Sequence, residues 1–127
     1  MKTTRNELAL FLEKLRTTRK KIIVEGHNDA KSLEQLGVSA HLIYELDTAL
    51  ELFAERFAHE EVILLVDLDK EGKKIYAKLR NALIRNGAKV DNYFREWLFK
   101  NTDVRQVETL AGYVEKQRYS YFSLRSR

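Results

Sequence analysis

The chain has 127 residues, 44% of them hydrophobic, which is enough for one domain with a sizeable core. It has no cysteine, which excludes disulfides and cysteine-based zinc sites. Any metal must therefore be held mainly by oxygen ligands, which favours Mg²⁺, Mn²⁺ or Ca²⁺. The net charge of +4 favours an anionic partner such as nucleic acid only weakly, because a mixed solvated surface accounts for it equally well.

The first half of the chain alternates between helical and strand-like segments. Apolar residues at helical spacing predict an amphipathic helix over about residues 4–18. The β-branched run over residues 21–25 predicts a buried strand. We expect Asn28 to cap a short helix that ends at Gly37, and residues 41–44 to form a second strand.

The second half continues this alternation. A capping box at residues 48–51 predicts the start of a third helix. Residues 62–66 are apolar at every position, as expected for a central parallel strand that is covered on both faces. A helix over about residues 71–86 and a weaker strand over residues 89–93 follow, and Asp103 is predicted to cap the last helix.

Strands and helices that alternate in this way predict a three-layer α/β/α fold, in which helices cover both faces of a four-stranded parallel sheet. Proline is absent and no linker is visible, so residues 1–127 are predicted to form a single domain with a short basic and aromatic tail from residue 119. No apolar run is long enough to span a membrane, and the first residues lack the apolar core of a signal peptide. We therefore expect a soluble, cytoplasmic protein.

Acidic residues follow two of the predicted strands. Glu25 ends the first strand, and Asp67 and Asp69 come directly after the third. Ligands of open parallel sheets bind beyond the carboxyl ends of the strands, so a strand order of 2-1-3-4 would bring these carboxylates together. Asp67 and Asp69 share one side of an extended segment, and three clustered carboxylates need a cation to offset their repulsion. Gly26 and Gly72 would let the backbone pass close to that ion or to a phosphate.

Each acidic feature also has a structural interpretation. A Glu-Gly pair after a strand is common, an Asp-x-Asp sequence can cap the next helix, and Glu71 is a favourable acid for a first helical turn. The occurrence of both motifs at two strand ends of one α/β unit favours a metal site. A phosphatase of the haloacid dehalogenase type is disfavoured, because Glu71 stands where that family has threonine or valine.

The two motifs resemble those of the Toprim family, which includes topoisomerases, bacterial-type primases, nucleases, recombination mediators and ribosomal-RNA maturases. Residues 22–26 are similar to its hydrophobic strand ending in Glu-Gly, and residues 62–72 to its strand ending in Asp-x-Asp with a following glycine. The resemblance covers about residues 20–95, the core of a Rossmann-like domain flanked by an N-terminal and a C-terminal helix. Residues 24–29 are similar to small stand-alone Toprim proteins and to the maturase branch, where a lysine is more usual than His27.

The resemblance implies a role for each acid. Glu25 would be the catalytic residue, acting as general acid or base or binding the first metal ion. Asp67 would bridge two ions and Asp69 would hold the second. The ions would be two Mg²⁺, for which Mn²⁺ can substitute. Glu71 and Asp29 are additional candidate ligands.

The resemblance also implies chemistry on nucleic-acid phosphodiesters, in RNA or DNA. A topoisomerase needs a tyrosine in a further domain and a primase adds a zinc module, for which 127 residues without cysteine leave no room. The first hypothesis is therefore a Mg²⁺-dependent nuclease or nucleotidyl-transfer protein, favoured by the complete acidic set. The second is a non-catalytic adaptor that binds metal and nucleic acid, favoured by the absence of a substrate-gripping domain.

Basic residues are weaker candidates for phosphate contacts. Lys73 and Lys74 open the helix after the acidic loop and His27 adjoins Glu25, although solvated lysines and an ordinary loop histidine explain them too. Two basic clusters are either nucleic-acid contacts or solvated surface. They comprise Arg16, Arg19, Lys20 and Lys21 before the first strand, and Arg118, Arg125 and Arg127 in the tail.

Overall fold

The computed structural model describes residues 3–43 and 49–125, with side chains up to residue 118. The helices within these ranges are α1 (Arg5–Thr17), α2 (His27–Gln35), α3 (Leu50–Glu55), α4 (Lys70–Arg85), α5 (Tyr93–Asn101) and α6 (Leu110–Arg125). The strands are β1 (Lys21–Val24), β2 (His41–Leu42), β3 (Glu61–Leu65) and β4 (Lys89–Asp91). No helix in the described part of the chain is long and apolar enough to cross a membrane.

The four strands form one parallel sheet in the order β2-β1-β3-β4. β1 and β3 are neighbours, and their register pairs Val24 with Leu65. Both strands therefore end at the same edge of the sheet. The predicted α/β fold with a four-stranded parallel sheet and strand order 2-1-3-4 is confirmed.

A separate hydrophobic core lies on each face of the sheet. Alternate residues of β3 serve the two cores: Ile63 and Leu65 pack with α1, α2, α5 and α6, whereas Val62 and Leu64 pack with α3 and α4. Every one of these four side chains is buried, and full burial of such a residue stabilises the fold by about 1.5–3 kcal/mol. This two-sided burial explains why β3 is apolar at successive positions.

The end of the domain differs from the prediction. The expected strand over residues 89–93 stops at Asp91, because the Asp91 carboxylate accepts a hydrogen bond of 2.8 Å from the Tyr93 backbone N–H and α5 begins there. Asp103 does not cap the last helix. Thr102 ends α5 instead, a 3₁₀ turn spans Val107–Thr109, and α6 starts only at Leu110.

Two helix starts were also misplaced. Asn28 is not the cap of α2, since that helix begins at His27 with Gly26 in the capping position. The Gly26 N–H is satisfied by the side chain of Asp29 at 3.2 Å, which makes an Asn28 cap unnecessary. α4 begins at Lys70, one residue before the predicted start. The predicted capping residue of α3, at position 48, and the end of the predicted second strand, at position 44, lie outside the described residues.

Candidate metal centre

The carboxylates of Glu25 and Asp67 line one cleft at the carboxyl edge of the sheet. Glu25 is the first residue after β1, and Asp67 is the second residue after β3. Because these strands are adjacent and parallel, the two side chains converge beyond their ends. The cleft has a volume of about 260 Å³ and is also lined by Gly26, His27, Asn28, Asp29 and Glu108. Among the described residues, no lysine or arginine lines it.

Burial and mutual repulsion disfavour the ionised forms of both acids. Burial, followed by the charges of Asp67, Asp29, Asp69 and Glu71, raises the pKa of Glu25. Burial also raises the pKa of Asp67, although a hydrogen bond from the Val107 backbone and the nearby Arg95 oppose this. The cleft thus brings several carboxylates together, and no lysine or arginine stands among its described lining residues to offset their repulsion.

Asp29 is the most deeply placed acid of the cleft, with 7% of its surface exposed. Burial and the charge of Asp67 raise the pKa of Asp29 to about 6, while backbone hydrogen bonds from Gly26 and Glu108 lower it. Asp29 therefore belongs both to the first turn of α2 and to the wall of the cleft. Its side chain has a structural function, which is to accept the Gly26 N–H, as well as a position beside the candidate ligands.

Asp69 does not line the cleft. One oxygen of its carboxylate accepts a 2.8 Å hydrogen bond from the Gly72 N–H and caps α4, which is the structural interpretation of the Asp-x-Asp motif. Its charge nevertheless raises the pKa of both Glu25 and Asp67, so Asp69 lies within electrostatic range of them. Glu71 is exposed in the first turn of α4 and also raises the pKa of Glu25.

The three residues predicted to contact phosphates differ in how close they lie to the acidic cleft. His27 is exposed and lines the cleft. Lys73 and Lys74 are exposed in the first turns of α4 and do not line the cleft. The structure therefore brings His27 to the acids more closely than the two lysines.

Arg95 on α5 fixes the backbone that carries Asp67. Its Nε donates to the carbonyl oxygen of Val66 at 3.0 Å, and its Nη2 donates to the carbonyl oxygen of Asp67 at 3.1 Å. The guanidinium lies 4.2 Å from the ring centroid of Tyr76 and 5.2 Å from that of Phe99. The planar guanidinium thus contacts two rings and presents two N–H donors in fixed directions to two carbonyls, a combination that a lysine ammonium does not reproduce.

The segment between α5 and α6 completes the cleft. The Val107 N–H donates to the Asp67 carboxylate at 2.8 Å, and the Leu68 N–H donates to the carbonyl oxygen of Arg105 at 2.9 Å. These bonds orient the Asp67 side chain and bring Glu108 to the cleft wall. Neither Arg95 nor Glu108 was predicted from the sequence as a residue of the site. Neither residue stands in a motif. Arg95 reaches Asp67 across 28 residues of the chain, and Glu108 follows Val107, whose N–H reaches Asp67 across 40.

The donor chemistry of the cleft fits a hard divalent cation, since it offers only carboxylate and amide oxygens and one imidazole. Within the described residues, however, no three His, Asp or Glu side chains stand in a ready-made chelating arrangement. The acidic side chains lie close enough to repel one another, but they are not arranged around a single point at which an ion could bind. Binding of an ion would therefore require side-chain rotation.

Comparison with known proteins gives the family. The sequence profile of the Toprim domain matches residues 20–97. The chain belongs to the Toprim family. This match runs from the residue before β1 to the middle of α5 and so includes Glu25, Asp67 and Asp69. Toprim domains bind divalent metal such as Mg²⁺, and membership associates this chain with metal-dependent functions related to nucleic acids.

Several small archaeal proteins resemble this Toprim domain over most of their length. The UPF0292 protein MJ1624 of Methanocaldococcus jannaschii is 34% identical over 109 residues, which cover 82% of this chain and 85% of that protein. The UPF0292 protein PH1700 of Pyrococcus horikoshii is 36% identical over 103 residues, which cover 79% and 78% respectively. A solved structure of a putative protein from Aquifex aeolicus superposes with a TM-score of 0.71 at 30% identity, covering 80% of this chain and 95% of that one.

Proposed function

We propose that this Toprim domain carries out Mg²⁺-dependent phosphodiester chemistry on nucleic acid, as a nuclease or a nucleotidyl-transfer protein. The observation that supports this most directly is the pairing of Glu25 and Asp67 at adjacent strand ends, in a cleft with no lysine or arginine among its described lining residues. The raised pKa values of both acids are what clustered carboxylates have before a cation joins them.

Glu25, Asp67 and Asp69 would hold the metal, with Asp29 and Glu71 as additional ligands. We propose two Mg²⁺ ions, for which Mn²⁺ can substitute. When bound, such ions offset the charge that develops on the attacking and leaving oxygens of a phosphodiester. Asp69 would contribute the carboxylate oxygen that does not cap α4, so that its structural and metal-binding functions are compatible.

Glu25 would move the proton. Its pKa is raised by burial and by its acidic neighbours, which brings the carboxyl closer to the range in which it can exchange a proton near neutral pH. As a base, a carboxylate oxygen of Glu25 takes a proton from the attacking hydroxyl or water; as an acid, it returns a proton to the leaving oxygen. Asp67, fixed by Val107 and Arg95, would remain ionised beside the metal.

Lys73, Lys74 and His27 would contact the phosphates on either side of the reacting bond. The two lysines lie in the first turns of α4, at the positive end of the helix, and are exposed. His27 borders the cleft itself. Charge reversal at Lys73 and Lys74 should weaken nucleic-acid binding while the metal affinity remains unchanged.

A second candidate function is that of a non-catalytic adaptor, which binds metal and nucleic acid without cleaving it. Two observations favour it. Asp69 is engaged in capping α4, and no ready-made three-ligand group occurs among the described residues. A protein that has lost catalysis but kept its acidic cleft would be compatible with both of these observations.

An assay with end-labelled RNA and DNA, single- and double-stranded, in Mg²⁺ or in EDTA, tests the proposal. Glu25→Gln should reduce a Mg²⁺-dependent cleavage by about 100-fold or more, the usual contribution of a general acid or base. Glu34→Gln is the matched control, because Glu34 is exposed on α2 and does not line the cleft. Cleavage that persists in EDTA or in Glu25→Gln would contradict the proposal. Mg²⁺-dependent binding without cleavage would favour the adaptor.

A further inference from the structure

Two adjoining grooves lie away from the acidic cleft, and together they form what we call the basic groove. The first, of about 420 Å³, runs between α1, α2 and α6, and the second, of about 300 Å³, lies at the start of β1 and reaches β2. Arg16 lines both and joins them. Its Nε donates a 2.7 Å hydrogen bond to the carbonyl oxygen of Leu36, which fixes the guanidinium at this junction.

The charge of the basic groove is opposite to that of the acidic cleft. Among the described residues, no aspartate or glutamate lines either part of it. Its lining includes six cationic side chains, namely Arg5, Arg16, Arg19, Lys20, Lys21 and Arg118. In a chain with 23 basic and 19 acidic residues, this separation places positive charge at the amino end of β1 and negative charge at its carboxyl end.

Three of these cations have no ion-pair partner among the described residues. Lys20 forms an ion pair with Asp91 at 2.8 Å, and Arg16 contacts Glu13 at 3.7 Å. Arg19, Lys21 and Arg118, in contrast, are exposed and form no hydrogen bond or ion pair of their side chains within the described part of the chain. Their positive charges therefore remain available to an anionic partner.

The remaining lining favours nucleic acid over a lipid surface. Leu8, Leu12 and Val114 in the first groove are buried, Leu36 is half-buried and Ala9 is small, so its described lining offers no large exposed apolar side chain to insert among acyl chains. Gln35 and Gln117 line the same groove and supply the donors and acceptors that bases and sugars require. Guanidinium groups at the rim match the geometry of phosphate oxygens.

We infer that the basic groove is a second nucleic-acid contact surface, which holds the sugar-phosphate backbone of a strand at a distance from the acidic cleft. That this strand also supplies the reacting phosphodiester rests on the proposed function. Strand residues rise about 3.3 Å each, so Lys21 and Glu25 at the two ends of β1 are about 13 Å apart. At about 3.4 Å per nucleotide, a strand must extend at least about four nucleotides from the cleft to reach the groove.

The test is the affinity for a fluorescent single-stranded RNA or DNA 20-mer, measured by anisotropy in EDTA so that neither metal nor cleavage contributes. The double variant Arg19→Glu/Lys21→Glu should bind at least 10-fold more weakly. Loss of two phosphate contacts should also reduce the slope of log affinity against log salt by about 1.4. Lys78→Glu/Lys100→Glu is the matched control, because it makes the same change in net charge at exposed lysines outside the groove.

Arg118→Glu gives an independent test, because Arg118 lies on α6 and lines the first part of the groove, whereas Lys21 lines the second. It should weaken binding in the same direction, with a melting temperature within a few degrees of the wild type. Equal losses in the control variant, or unchanged affinity in both groove variants, would overturn the inference. So would groove-dependent binding to phosphatidylserine vesicles without binding to nucleic acid. A failure to cleave in Mg²⁺ contradicts only the proposed catalysis, since binding in EDTA is measured separately.

Discussion

Gly72, in the first turn of α4, lies directly against the backbone of Asp67: a Cβ atom on Gly72 would be 2.1 Å from the Asp67 carbonyl oxygen. No side chain fits there. The first turn of α4 can therefore pack against Asp67 only because residue 72 is a glycine. The sequence suggested that Gly72 would allow the backbone to approach an ion or a phosphate. In the structure it is the backbone of the candidate metal ligand that Gly72 accommodates.

Gly72→Ala should therefore displace the Asp67 loop from α4. Overpacking of this kind costs about 1–3 kcal/mol, which urea unfolding would measure. The matched control is Gly112→Ala on α6, where nothing lies within 4 Å of the added Cβ and alanine should stabilise the helix by about 0.5–1 kcal/mol. Equal stability of the two variants would show that the loop adjusts freely.

Mg²⁺ should raise the melting temperature of the wild type, because it binds the grouped carboxylates of the folded state and not the unfolded chain. At ten times its dissociation constant, the ion should stabilise the protein by about 1.4 kcal/mol. Asp67→Asn should lose most of this gain, since an amide can keep the hydrogen bond from Val107 but cannot offset the charge of the ion. Calorimetry that detects no divalent ion at millimolar concentration in the wild type would contradict the expectation.

In EDTA, the contribution of Asp29 to the stability of the wild type should fall as the pH rises from about 4 to 6. The pKa of Asp29 is about 6 in the folded protein, above its ordinary value of 3.8, so its contribution to stability is complete below about 3.8 and lost as the pH passes 6. A shift of two units corresponds to at most about 3 kcal/mol. Asp29→Asn should flatten this part of the stability profile, measured by urea unfolding at several pH values, while its side-chain oxygen still accepts the Gly26 N–H. Identical profiles for the two proteins would be evidence against the shift.

Arg95→Ala should destabilise the fold by about 2–4 kcal/mol, because it leaves the carbonyls of Val66 and Asp67 without their donors and removes the contacts with Tyr76 and Phe99. Arg95→Lys keeps the charge but not the planar pair of donors, so it should restore only part of this stability. Titration calorimetry should also find weaker Mg²⁺ binding in both variants. Full recovery of stability and metal affinity in Arg95→Lys would show that charge alone matters.

The amino-acid pattern alone predicts the alternation of helices and strands from α1 to β4, and the edge of the sheet at which the acids lie, but it does not separate α5 from α6. The apolar run over residues 62–66 is typical of a strand covered on both faces, and the β-branched run before Glu25 is typical of a second buried strand. That the two strands are neighbours is a finding of the structure. Because parallel strands end at one edge, the positions of Glu25 and Asp67 follow from local pattern. The Toprim motif is short and continuous, so no tertiary contact was needed to find it.

How the acids are held depends on contacts between distant segments. Asp69 caps α4, Arg95 spans 28 residues to reach the Asp67 carbonyl, and Val107 spans 40 to reach its carboxylate. The 3₁₀ turn that brings Glu108 to the cleft forms where Leu68 bonds to Arg105, not where local capping signals predicted a helix at Asp103. Local propensity determines which segments become helices and strands, but it does not determine which segments pack together. The partners of a backbone carbonyl or a buried carboxylate are set by whichever distant segment packs beside them.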